Sequence, residues 1–312
     1  QEIALPDLEP MYGEALIKHL LGKPITSDTV QRLQSLAGGN PYFLIELTLE
    51  FMAGRLGAMT TPQDIVPIPL SIRQVLDRRL SQLSDNAERV LGCLAVHSRP
   101  LDLMGLVEIA GITDAQCLAG LEQLEEFRLV THRGSEFVIS HELVRQTVYQ
   151  ALSSSRRAWI HHRVARHILD TKESPAPDEL AIHFYQAGVR EEARLYSTRA
   201  ADHAEASGAI PEALRFLRQA REHTSDAETV ANLIFRMGHL NYLRQNLEEA
   251  APLLELAAQR FRRHGDRARA LEAEVERIDC LAQSGLLPMT ESVAELHRLK
   301  EEARASDDWD LY

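Results

Sequence analysis

The sequence is poor in cysteine, in aromatic residues, in basic charge and in long apolar runs. Its 312 residues hold three cysteines, Cys93, Cys117 and Cys280, odd in number and widely spaced. That excludes a disulfide framework and a cysteine-based zinc site. It suits a reducing cytosol, so a cytoplasmic protein is expected. Lys and Arg number 34 against 46 Asp and Glu, a formal net charge of −12. Binding a nucleic-acid backbone calls for a basic excess, and this chain has the opposite. No apolar run approaches the roughly 20 residues of a membrane span, so no membrane partner is expected. An initiator Met is lacking too: the chain begins at Gln1, and a processed chain or a piece of a longer one is expected.

Catalytic signatures are also missing. The sequence has no G-x-x-x-x-G-K-[ST], and Gly38-Gly39 lacks the lysine that would reach a phosphate. His141-Glu142 opens like a zincin helix, but Arg145 stands where the second histidine is needed. His161, His162 and His167 share one helical stretch, yet neighbouring positions on a helix diverge and no carboxylate completes a ligand set. No G-x-S-x-G element is present. By itself this chain is expected to be no enzyme, with no catalytic residues and no metal.

What is present is helical periodicity, rich in Leu, Ala, Glu and Arg. Ile3 to Leu5 reads as the tail of a strand ended by Pro6. Helices are expected over Tyr12–Leu21, over Thr29–Ala37 capped by Ser27-Asp28, and over Tyr42–Ala53 behind Asn40-Pro41. Residues 54–69 carry Gly54, Gly57, Pro62, Pro67 and Pro69 and read as a linker before a helix over Leu70–Leu83. Next come helices over Asn86–Val96, Leu101–Ala110 and Asp114–Phe127. A strand from Leu129, a turn at Arg133-Gly134-Ser135 and a strand over Phe137–Ile139 follow. Three helices and a β-hairpin are the order of a winged helix. Its third helix carries Asp114, Glu122, Glu125 and Glu126 and no Lys or Arg, which argues against DNA reading. The basic cluster Arg156, Arg157, Arg163 and Arg166 is expected to be a solvated or interdomain face.

From Arg156 onward only helices are expected. Two stretches share one pattern, Ala201, Ala213, Leu217, Ala220 and Gly238, Ala250, Leu254, Ala257, a period of 37 residues. Small residues at these offsets let the two helices of a hairpin approach closely, as in tetratricopeptide repeats. The fold class is therefore mainly α: an N-terminal helical region, a winged-helix domain with a small β-hairpin, then an α-solenoid of TPR-like hairpins. The expected domains are 1–83, the N-terminal helices; 84–155, the winged helix; 156–177, a linking helix; and 178–312, the repeats.

Four blocks in order carry a resemblance: Gly39-Asn40-Pro41-Tyr42-Phe43-Leu44-Ile45-Glu46, Pro69-Leu70-Ser71-Ile72-Arg73, Phe137 through Arg145, and Arg157 with His161, Val164 and Ala165. They resemble successive blocks of the STAND signal-transduction ATPases of bacteria, over nearly the whole chain. That family includes LuxR-type transcription regulators, ATPase-linked adenylate cyclases and kinase fusions. The resemblance implies an AAA-type core upstream of Gln1, holding the P-loop and binding ADP or ATP with Mg, and makes 1–83 the end of that nucleotide-binding core and its helical lid. Gly39-Asn40-Pro41 matches the family's lid element, whose proline packs on adenine. Ser140-His141-Glu142 matches a Met-His-Asp-like motif whose histidine touches the β-phosphate of ADP, with serine and glutamate replacing its methionine and aspartate. Gly39, Asn40, Pro41 and His141 are thus the candidate nucleotide-binding residues. A protein or small-molecule inducer is expected on the repeats, and a nucleotide-dependent homo-oligomer as the active form. A stand-alone TPR scaffold and a winged-helix DNA-binding regulator are the alternatives.

Overall fold

The computed structural model describes residues 7–56 and 68–305. The strand expected over Ile3–Leu5 and most of the linker expected over 54–69 lie outside the described residues. The chain is mainly α, with one small antiparallel sheet. It divides into two compact units, Gln1–His167 and Ile168–Tyr312, and the division falls inside one helix. No single described helix is long and apolar enough to cross a membrane.

The first unit opens with α1 (Pro10–Leu21), α2 (Ser27–Ala37) and α3 (Pro41–Met52). Their caps follow from local chemistry. Thr26, one residue before the expected Ser27-Asp28, is the N-cap of α2, its hydroxyl accepting from the Thr29 amide at 3.4 Å. The first turn of α3 is opened by Asn40, whose Oδ1 accepts from the amides of Tyr42 and Phe43 at 3.0 and 3.2 Å. Pro41 occupies its first helical position, where a missing N–H costs nothing. Helix α4 (Leu70–Leu80) follows. Ile17, Leu33, Leu47, Ile72 and Leu76 are fully buried and hold these helices together.

Next come α5 (Asp85–His97), β1 (Leu101–Asp102), α6 (Leu103–Ala110), α7 (Asp114–Glu126), β2 (Val130–Arg133) and β3 (Glu136–Ile139). The sheet order is β1-β3-β2, with Leu101 opposite Phe137 and Val130 opposite Ile139. Here the structure corrects the expected helix over Leu101–Ala110. Its first two residues form a strand, and Asp102 instead caps α6 by accepting from the Gly105 amide at 2.8 Å. Thr113 and Gln116 form a capping box on α7. Helix α8 (Glu142–Ala151) leaves the sheet directly, and α9 (Ser154–Thr171) closes the unit.

The second unit is an α-solenoid of helical hairpins: α10 (Pro177–Ala187), α11 (Arg190–Ala206), α12 (Ile210–Glu222), α13 (Ala227–Leu243), α14 (Leu247–His264), α15 (Arg267–Gln283) and α16 (Met289–Ala305). The residues singled out by the 37-residue period do the packing. Ala201, Ala213, Leu217 and Ala220 are each 0% exposed, as are Ala250, Leu254 and Ala257. A Cβ on Gly238 would lie 2.9 Å from the Leu254 side chain, so only glycine lets α13 and α14 come this close.

Candidate functional site

The expected site residues lie at the junction of α2, α3 and α8. The turn between α2 and α3 needs two residues with positive φ, and Gly38 (φ 55°) and Gly39 (φ 79°) supply them. The Gly39 carbonyl accepts from the Leu8 amide at 2.8 Å. Asn40 is occupied as the cap of α3, and Pro41 and Tyr42 behind it are exposed.

His141 sits about a hundred residues further along the chain, at the N-cap of α8, in extended backbone with φ −140° and ψ 140°. Its side chain makes no capping bond. Instead the ring turns towards the α2–α3 turn. A Cβ on Gly38 would lie 2.6 Å from His141 Nδ1, and the Phe43 ring meets the imidazole edge-on at 5.7 Å between centroids. Gly39, Asn40 and Pro41 are thus brought beside His141 by a contact that Gly38 and Phe43 make. Those two residues were not singled out by sequence reasoning. The doubled glycine was the available signal.

His141 Nδ1 is buried without a hydrogen-bond partner. Burial pulls the imidazole pKa below its ordinary value of 6.5. The Asp7 carboxylate and the Gly38 backbone oppose that shift, and Arg79 adds to it. The Gly38 backbone lies beside the ring but does not close a bond on Nδ1. The ring is therefore neutral at pH 7, half-buried, and spent neither on capping nor on a bond at Nδ1. The next residue is spent differently. Glu142 accepts a bidentate pair from Arg145 at 2.6 and 2.8 Å and a further bond from Gln146 at 3.0 Å.

The cavity beside Gly39, lined also by Leu8, Pro10 and Gln34, measures about 80 Å³. Ligand pockets run from about 300 Å³ upward, so this cavity alone is too small to hold a nucleotide. Helices α1 and α3 also carry exposed apolar side chains: Met11 is 64% exposed, Tyr12 55% and Met52 47%. As the residues stand they suit a nucleotide only in part. An exposed proline ring can lie on a base, and an uncommitted imidazole at a helix N-terminus can meet a phosphate. A lysine for the phosphates is missing from the motif.

The other histidines serve elsewhere. His161 bonds the Tyr149 hydroxyl at 3.0 Å, and burial, with help from Arg157, drives its pKa down to about 4. His167 pairs with Glu108 at 2.6 Å. Among the described residues no group of three or more His, Cys, Asp and Glu is placed to hold a metal ion. The arginine cluster is divided too: Arg157 lies 4.5 Å over the Tyr149 ring, and Arg163 5.1 Å over Trp159. On α7, Asp114, Glu122, Glu125 and Glu126 are all exposed. All three cysteines are buried thiols, and burial pushes Cys93 up to about 12.

Neither a protein-family model nor a curated protein sequence matches the chain. Among solved structures it is similar to a STAND protein with a tetratricopeptide repeat sensor from Pyrococcus horikoshii, at 14% identity and a TM-score of 0.38. The match covers 97% of this chain and 52% of that one, so the chain spans about half the length of the solved structure. A likeness of that degree does not define a shared fold.

Proposed function

We propose that this chain is the regulatory and sensor part of a STAND-type ATPase switch. In this reading α1–α4 are the lid, α5 to β3 a winged helix and α10–α16 the sensor repeats. A P-loop core preceding the lid binds ADP or ATP with Mg. The observation that carries the reading is the junction of the Gly39-Asn40-Pro41 turn with His141. Two motifs far apart in sequence share one contact, and the histidine there keeps Nδ1 without a bond. With a core present, Pro41 offers a flat face without an N–H to the adenine. The start of α8 and His141 offer donors to the phosphates. The exposed apolar surface of α1 and α3 gives the core something to close on.

The cycle follows from a population shift. ADP bound between core, lid and His141 favours the closed form. An inducer on the repeats favours the open form by binding it more tightly, after which nucleotide exchanges and the core oligomerises. The test is His141→Ala in the full-length protein, with bound ADP counted after denaturation. We expect a loss of retained ADP of tenfold or more with the fold intact. Unchanged retention would overturn the phosphate role.

The alternative of a scaffold built on the repeats alone is favoured by one observation. The polar residues that alternate helices present to each other are largely satisfied within the solenoid, Arg236 by Asp202 and Glu205, His239 by Glu276. The DNA-binding alternative is opposed by the exposed acids of α7.

A further inference from the structure

A cavity of about 480 Å³ opens in the first unit between α5, the end of α6 and α9. It has the size of a small-molecule site and shares no lining residue with the cavity beside Gly39. Its floor is apolar: Cys93, Ala110 and Ile160 are each 1% exposed. Burial keeps the Cys93 thiol neutral, while Arg156, Arg163 and Arg89 pull on it in the opposite sense. Three guanidiniums therefore direct positive field at this floor.

One wall is the indole of Trp159, 46% exposed. Arg163 steadies that ring, standing 5.1 Å over it while donating to the Glu108 carbonyl. The other two guanidiniums line the cavity and are not spent. Arg89 is exposed and makes no hydrogen bond or ion pair among the described residues. Arg156 has only Glu88 beside it, at 3.9 Å, which is beyond hydrogen-bond reach. A single exposed arginine is ordinary. Two open guanidiniums, an indole and a dry floor around one cavity make a binding arrangement for a flat anion. Asp85 and Glu88 also line it and limit the charge it can take. They disfavour a phosphate, which carries nearly two charges at pH 7, and leave room for one carboxylate.

We propose that this cavity binds a small aromatic carboxylate. The ring lies against Trp159 over the apolar floor, and Arg89 and Arg156 hold the carboxylate. The site goes beyond the nucleotide switch and does not depend on a P-loop core.

Equilibrium dialysis of the full-length protein, saturated with ADP, against 2-naphthoate tests the proposal. One saturable site is expected. Arg89→Gln, at an exposed position that spares the core, should weaken it at least tenfold, as should Arg156→Gln and Trp159→Ala. Glu88→Gln removes the competitor for Arg156 and should tighten binding. The uncharged 2-naphthalenemethanol should bind at least tenfold more weakly. Absence of saturable binding, binding indifferent to Arg89→Gln, or equal binding of the uncharged compound overturns the proposal. So does tighter binding of 2-naphthyl phosphate. In the same dialysis His141→Ala should leave 2-naphthoate binding unchanged, so a failure of the nucleotide switch is read separately.

Discussion

The α13–α14 hairpin and the junction around His141 use glycine for opposite ends. At Gly238 the missing side chain closes a contact: Leu254 fills the space, and the neighbouring Ala250 and Ala257 are fully buried. At Gly38 the missing side chain admits an imidazole whose Nδ1 then finds no partner. The apolar contact of the hairpin is closed. The junction leaves Nδ1 unbonded and keeps Pro41 and Tyr42 open to solvent. A buried polar group without a partner costs stability, and Nδ1 of His141 carries that cost.

That contrast can be broken first in the hairpin. Leu254→Ala should destabilise the second unit by about 2–5 kcal/mol, because a fully buried leucine is lost between rigid helices. Urea unfolding followed by circular dichroism measures it, and a loss under about 1 kcal/mol would mean the hairpin is loosely packed. Next in size is a pH effect in the first unit. His161 is 3% exposed and its pKa falls to about 4, so the folded state holds it neutral while the unfolded chain protonates near 6.5. Its contribution is full above about pH 6.5 and is lost as pH falls through about 4. At 1.36 kcal/mol per pKa unit this is on the order of 3 kcal/mol. His161→Gln should flatten that part of the stability profile, as denaturant titrations at pH 7 and pH 4 would reveal.

Gly238→Val comes third, at about 1–3 kcal/mol, since the branched side chain would meet Leu254 and its backbone. Smallest is the junction itself. Gly38→Ala should cost about 1–2 kcal/mol, from the positive φ and from collision with the imidazole. His141→Ala should cost less than about 1 kcal/mol and should relieve part of the Gly38→Ala penalty in the double variant. Strictly additive effects would show that the two residues do not touch.

Much of this was legible beforehand because it is local. The start of α3 at Asn40-Pro41, the hairpin around Gly134 and the small-residue period each depend on a few neighbouring residues. The strand at Leu101–Asp102 was not legible. Two residues carry no periodicity, and only pairing with β3 makes them a strand. The Thr26 cap was missed by one position because Thr26, Ser27 and Asp28 are all good caps. At the candidate site, spacing could not bring residues 38 and 141 together. The resemblance placed both near one nucleotide, and packing shows which atoms meet.

In the proposed switch the junction at Gly38–Pro41 and His141 is one wall of a nucleotide site whose other walls belong to a P-loop core. Sequencing the reading frame upstream of the codon for Gln1 decides whether that core exists. A G-x-x-x-x-G-K-[ST] loop and an acidic strand end, leading in frame into this chain, are expected. A start codon close to Gln1, with no such core before it, would contradict it.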